Sequence, residues 1–116
     1  MSNDEKPEFK IGVIGEYLVK IRLNEYGINT GSVDKDTGTD IVMFAMGRIL
    51  TAQVKTGRNA WNYADSHNVH VHFIVNLNWT DGNLSLDAAE IHWKRIDIPN
   101  DEFKPLEIGS IDGMFQ

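Results

Sequence analysis

Ile11, Ile14, Leu18 and Ile21 recur at spacings of three, four and three, the period of a helix with one apolar stripe. Gly27 stands where a helix commonly ends, so residues 11–26 are predicted to be helical. Ahead of them, residues 1–9 are polar, contain Pro7 and read as a flexible arm, which leaves residues 10–116 as a single domain.

The period then shortens. Residues 28–33 and 39–45 read as strands on either side of Asp34-Lys35-Asp36-Thr37-Gly38, which is turn chemistry. Met46-Gly47-Arg48 reverses the chain into a strand at 49–56, making 39–56 a hairpin. Residues 57–67, with Trp61 and Tyr63, are expected to be a short helix or an irregular crossover. Val69, Val71, Phe73, Val75 and Leu77 then alternate with His70, His72, Ile74, Asn76 and Asn78, which predicts a strand packed on one side. Asp81-Gly82-Asn83 is a turn, and residues 89–96 alternate again, with Ile91 and Trp93 opposite Glu90, His92 and Lys94. The tail from Pro99 is acidic and is expected to form a small helix or to lie along the body. The order predicts an α/β domain with a mixed central sheet and flanking helices.

Composition narrows the class. A chain of 116 residues is expected to hold one domain, which excludes a substrate domain beside a cofactor domain, and no organic cofactor is expected. With no cysteine there is no disulfide and no thiolate zinc site, which fits a cytoplasmic protein. The longest apolar run, residues 41–46, is far short of a membrane span. The net charge of −6 argues against nucleic acid at first sight. It is unevenly placed, however: residues 1–60 carry eight basic and eight acidic side chains, whereas residues 61–116 carry three basic and nine acidic ones. The acidic half is expected to face away from any phosphate backbone.

The neutral half holds the candidate chemistry. Gln53 and Lys55, two apart on one strand, project to one face, while Leu50, Ala52 and Val54 project to the other. Pairing about the Met46-Gly47 turn sets Asp40 beside Gln53, thirteen positions on. An aspartate, an amide oxygen and a backbone carbonyl are hard oxygen ligands suited to Mg²⁺, and a neighbouring lysine can orient water or stabilise charge building on a phosphate.

These residues resemble the restriction-endonuclease-like PD-(D/E)XK nucleases, whose pattern is a helix glutamate, an aspartate at the start of one strand and acid-x-Lys on the next. Glu16, Asp40 and Gln53-Val54-Lys55 match it in order, with Thr39 in place of the signature proline and Gln53 in place of the acid. The resemblance covers roughly residues 11–77, and Gly15-Glu16-Tyr17-Leu18-Val19 with Gly38-Thr39-Asp40-Ile41-Val42 look most like the Holliday-junction-resolvase and small restriction-enzyme branches. It implies an α/β/α core and a metal-dependent endonuclease acting on DNA. Asp40 and Gln53 would be metal ligands, Glu16 a supporting ligand and Lys55 the catalytic lysine, with Mg²⁺ as cofactor and Mn²⁺ as its substitute. Arg58 first, then Lys20, Arg22, Arg48 and the Lys94-Arg95 pair are candidates for phosphate contacts, and a homodimer would bring two sites to a duplex.

Other readings stay in view. The neutral Gln53 suits a nuclease fold that has lost catalysis and serves as a nucleic-acid-binding or assembly module, and the acidic half suits a protein-interaction domain. His70, His72 and His92 could be drawn into a zinc site, but no acid or cysteine completes the set, and their place on a strand's polar face is the simpler reading. Asp34 and Asp36 are read as turn residues, and Trp61 and Tyr63 as packing aromatics.

Overall fold

The structure, a computed structural model, describes residues 7–33, 39–57 and 68–116. Their elements run α1 (Pro7–Glu25), β1 (Asn29–Ser32), β2 (Ile41–Ala45), β3 (Arg48–Thr56), β4 (Val71–Thr80), β5 (Asn83–Arg95), β6 (Lys104–Pro105) and α2 (Ser110–Met114). The six strands form one mixed sheet in chain order, β1 to β6. The β3–β4 pair is parallel and the other four are antiparallel. The chain is therefore an α/β protein with a mixed sheet, as its pattern predicts. Residues 58–67, which carry the expected crossover, lie outside the described residues, as do Asp34 and Asp36.

Helix α1 starts at Pro7, a residue suited to a first helical turn, so part of the expected arm is helix. It ends as predicted. Gly27 has φ of +88°, its amide donates to Asn24 O at 3.0 Å, and the Ile28 amide donates to Leu23 O at 2.9 Å. This is a Schellman ending, closed by the buried side chains of Leu23 and Ile28. The buried line along the helix is Gly15, Val19 and Leu23, flanked by Ile11, Ile14 and Leu18. Ile21 is a correction: it is 56% exposed. It lies two residues from both Val19 and Leu23, about 200° around the helix from each.

The hairpin turns on Met46 (φ +53°) and Gly47 (φ +72°), two left-handed residues as a type I′ turn requires. Its rungs run from Ala45↔Arg48 to Ile41↔Ala52, the predicted register. Leu50 and Ala52 point into the core with Val19, Leu23, Met43, Val71 and Phe73, so α1 covers the even-numbered face of β3. Strand β4 departs from the one-sided expectation. His72 is fully buried and Ile74 is 1% exposed, because β4 lies in the middle of the sheet and both of its faces are covered.

Strand β5 is longer than its alternating segment, because a second left-handed turn at Asp81 (φ +53°) and Gly82 (φ +80°) lets it pair with β4 from Asn83 onward. β3 reaches β4 only as far as Val75, and β6 meets β5 only at His92 and Trp93. Residues 76–90 therefore stand as a two-stranded ribbon, steadied where Trp79, Leu84 and Ala89 touch the core. Among the described residues, no helix is long and apolar enough to cross a membrane.

Candidate active site

Strand β2 stops before β3 does, and the site is built on that difference. The last rung is Ile41↔Ala52. Beyond it the Asp40 amide donates to Ala52 O at 2.9 Å, and the Val54 amide donates to Asp40 Oδ2 at 2.8 Å. The Asp40 carboxylate thus stands in for the backbone carbonyl that another rung would have supplied. Because N–H and C=O of a strand residue leave on the same side, the Val54 carbonyl also points to this edge. The result is a notch on the edge of β3 bordered by a carboxylate and a peptide oxygen.

Gln53 and Lys55 flank Val54 on the face turned away from α1, and both are half-buried. Gln53 lies opposite His72 on β4, and Lys55 opposite Ile74. The Gln53 Oε1 is buried and accepts no hydrogen bond from the described residues. A buried amide oxygen without a donor costs about 1–3 kcal/mol, a cost that a cation or donor reaching this atom would relieve.

Glu16 approaches from the other face. It follows Gly15, whose bare Cα is pressed against Thr56 at the end of β3. Its side chain is 15% exposed and lies 3.9 Å from the Lys20 ammonium. Side chains on opposite faces of a sheet converge only past an open edge, and the notch is such an edge. Asp40, Gln53 and Lys55 are therefore brought together around Val54, and α1 delivers Glu16 to the same end of β3. The oxygens of Asp40, Gln53 and Val54 suit a hard divalent cation. Among the described residues, no three His, Asp or Glu side chains form a metal-holding group.

The candidate phosphate contacts are differently placed. Arg48 donates to Phe115 O at 2.6 Å. It sits seven residues before Lys55, roughly 23 Å along the strand, so its observed role is to hold the chain after α2. Lys20 pairs with Glu16, bonds Ser32 Oγ and lies 5.5 Å from the Tyr17 ring centre. Arg58, Trp61 and Tyr63 lie outside the described residues.

His70 and His72 serve the packing of the sheet. His70 Nδ1 accepts from the Thr51 amide at 3.0 Å, while the His70 amide donates to Thr51 O at 3.0 Å. An amide cannot accept, so this ring nitrogen carries no proton and the imidazole replaces a carbonyl as the first link between β3 and β4. His72 packs edge-on against Phe103, with ring centres 5.6 Å apart.

Arg95, a candidate phosphate contact in the sequence, is instead withdrawn into the fold and only 5% exposed. Its guanidinium grips both Asp97 oxygens, at 2.8 and 2.6 Å, and donates to Met114 O at 2.7 Å and Gln116 O at 3.1 Å. The hydrogen bond and charge of Arg95 hold the Asp97 carboxyl below its ordinary 3.8. Burial pushes the Asp101 carboxyl up, but the Arg95 amide and the Lys104 ammonium outweigh it and leave it lowered. A cavity of about 490 Å³ opens beside this cluster, lined by Trp93, Lys104, Glu107 and Ser110 among others. Two of the nine acids of the second half are thus neutralised within the fold.

Compared with known protein families, curated proteins and solved structures, the chain matches none.

Proposed function

We propose that the chain is a Mg²⁺-dependent endonuclease that hydrolyses DNA phosphodiester bonds on a restriction-endonuclease-like core. The observation that carries this reading is the Asp40–Val54 hydrogen bond, which gathers a carboxylate, a peptide carbonyl, an unsatisfied amide oxygen and a lysine around one strand edge. The sheet is compatible with it, since the resemblance implies a mixed central sheet and the six strands form one.

Asp40, Gln53 and the Val54 carbonyl would hold the ion, with Glu16 supporting it from α1. A divalent cation in this position supplies positive charge where a phosphate must approach. Lys55 orients the attacking water and stabilises the charge that grows on the phosphoryl oxygens as the water oxygen bonds to phosphorus. The attacking water gives up a proton to solvent, the bond to the leaving sugar oxygen breaks, and that oxygen takes up a proton in turn. A homodimer would present two such sites to the two strands of a duplex.

Incubation of supercoiled plasmid and of linear, single-stranded and branched DNA with the protein and Mg²⁺ or Mn²⁺ tests the reading. Cleavage that disappears in Lys55→Ala is expected; intact DNA in every case overturns it. One observation favours a second reading: among the described residues no three His, Asp or Glu side chains gather into a metal-holding group, which leaves little negative charge to hold an ion. A nuclease fold that binds or assembles without cutting would bind DNA equally well with EDTA present.

A further inference from the structure

We propose that Gly15 and Thr56 are positioning residues of this site: their contact sets how closely α1 meets the end of β3, and so whether Glu16 reaches an ion in the notch. The proposal rests on the metal-site reading above. A Cβ added to Gly15 would lie 1.8 Å from Thr56 Oγ1, 2.6 Å from its Cγ2 and 2.7 Å from its Cβ. Side chains do not approach so closely, so helix and strand are pressed together to a depth only glycine permits. The need is specific to this position, since a Cβ on Gly12 of the same helix would meet nothing within 4 Å.

Thr56 Oγ1 is buried and makes no hydrogen bond to the described residues. The threonine is therefore not held here by a polar partner; its fit against the bare Gly15 Cα is the contact the structure uses. Standard bond lengths then place the Glu16 and Lys55 Cα atoms no more than about 13 Å apart, a gap their two long side chains can close past the open edge. A methyl group at position 15 has to move from 1.8 Å to the 3.4 Å at which ordinary contact begins, carrying the helix with it. Mg²⁺ accepts ligands only near 2.0–2.1 Å in an octahedral set. A displacement on the order of 1 Å is enough to remove a ligand or to cost a hundredfold in a positioned reaction.

The test is calorimetric titration of the full chain with Mn²⁺, with a thermal melt of each variant. Gly15→Ala is expected to weaken Mn²⁺ binding at least tenfold while still melting cooperatively. Moving the glycine across the contact, in the double variant Gly15→Ala with Thr56→Gly, is expected to restore affinity to within threefold of wild type. Met114→Ala, a core truncation on α2, is expected to lower the melting temperature without weakening Mn²⁺ binding, which separates positioning from general destabilisation. Wild-type affinity in a folded Gly15→Ala protein overturns the positioning role alone. Absence of Mn²⁺ binding by the wild type overturns the metal-site reading and this proposal with it. Should Gly15→Ala fail to melt cooperatively, Thr56→Gly alone decides: at least threefold weaker binding supports the role, and unchanged binding overturns it.

Discussion

The Val54 amide donates its hydrogen bond to the Asp40 side chain, 2.8 Å away, at the point where β2 no longer offers a carbonyl. One carboxylate oxygen thereby does the work of secondary structure. Fold and proposed chemistry share a residue here, and substitutions separate them.

Asp40→Ala leaves the Val54 amide without its acceptor and is expected to cost about 1–3 kcal/mol of stability. Asp40→Asn keeps an acceptor oxygen, so urea denaturation should find it close to wild type. Calorimetry should find Mn²⁺ binding weakened at least tenfold in both. Equal metal affinity in Asp40→Asn and wild type would remove Asp40 from the ligand set.

Gln53→Glu places a charge where the structure holds a buried, unsatisfied amide oxygen. It is expected to lower stability in metal-free buffer, because an ionised carboxylate is costly to bury. It should also tighten Mn²⁺ binding by about tenfold, equivalent to 1.4 kcal/mol. Melting curves with and without Mn²⁺ read both effects, and a metal-induced rise no larger than that of wild type contradicts the expectation.

His70→Ala removes the acceptor of the Thr51 amide and breaks the first link between β3 and β4. A loss of about 1–3 kcal/mol is expected. His70→Asn can still present an acceptor and should recover part of it. Hydrogen exchange at the Thr51 amide checks the cause directly, with fast exchange in the alanine variant and protection in wild type.

Acid should unfasten the cluster around Arg95. Asp97 and Asp101 are both held below the ordinary 3.8 in the folded chain, so their contribution is complete above that value and disappears as pH falls through their lower folded values. Asp97 is 44% exposed, and solvent screening keeps the contribution on the order of 1 kcal/mol. The stability difference between wild type and the double variant Asp97→Asn with Asp101→Asn should be constant above about pH 5. It should close below 3.8. A difference that widens toward acid pH contradicts this assignment.

The parts of this architecture that local rules govern are visible in the sequence. Gly27 ends α1, and the two-residue turn at Met46 and Gly47 fixes the β2–β3 register, because backbone conformation at those positions depends on a few neighbouring residues. Features that depend on distant packing are not visible there. Ile21 fits a helical stripe but faces outward, since Gly15, Val19 and Leu23 lie on the side that meets the sheet. His72 looks like a solvent-facing strand residue and is buried, because strands on both sides and cover on both faces come from elsewhere in the chain. Asp40, Gln53 and Lys55 could be grouped from the hairpin register alone. The Gly15–Thr56 contact and the bonds from Arg95 to the Met114 and Gln116 carbonyls join residues 41 and 19 or more positions apart and carry no local signature.

The agreement of strand order with chain order has a kinetic meaning. Four of the five pairings join strands consecutive in sequence and antiparallel, so each can zip from its own turn or short link at little cost in loop entropy. The parallel β3–β4 pair instead must bring Ala52 to Val71 across the crossover before any rung rewards the closure. That step is expected to set the folding rate, with Thr51 and His70 as its first contact. The strand that waits for it is the one carrying Gln53, Val54 and Lys55, so the site is completed when the slowest junction of the sheet closes.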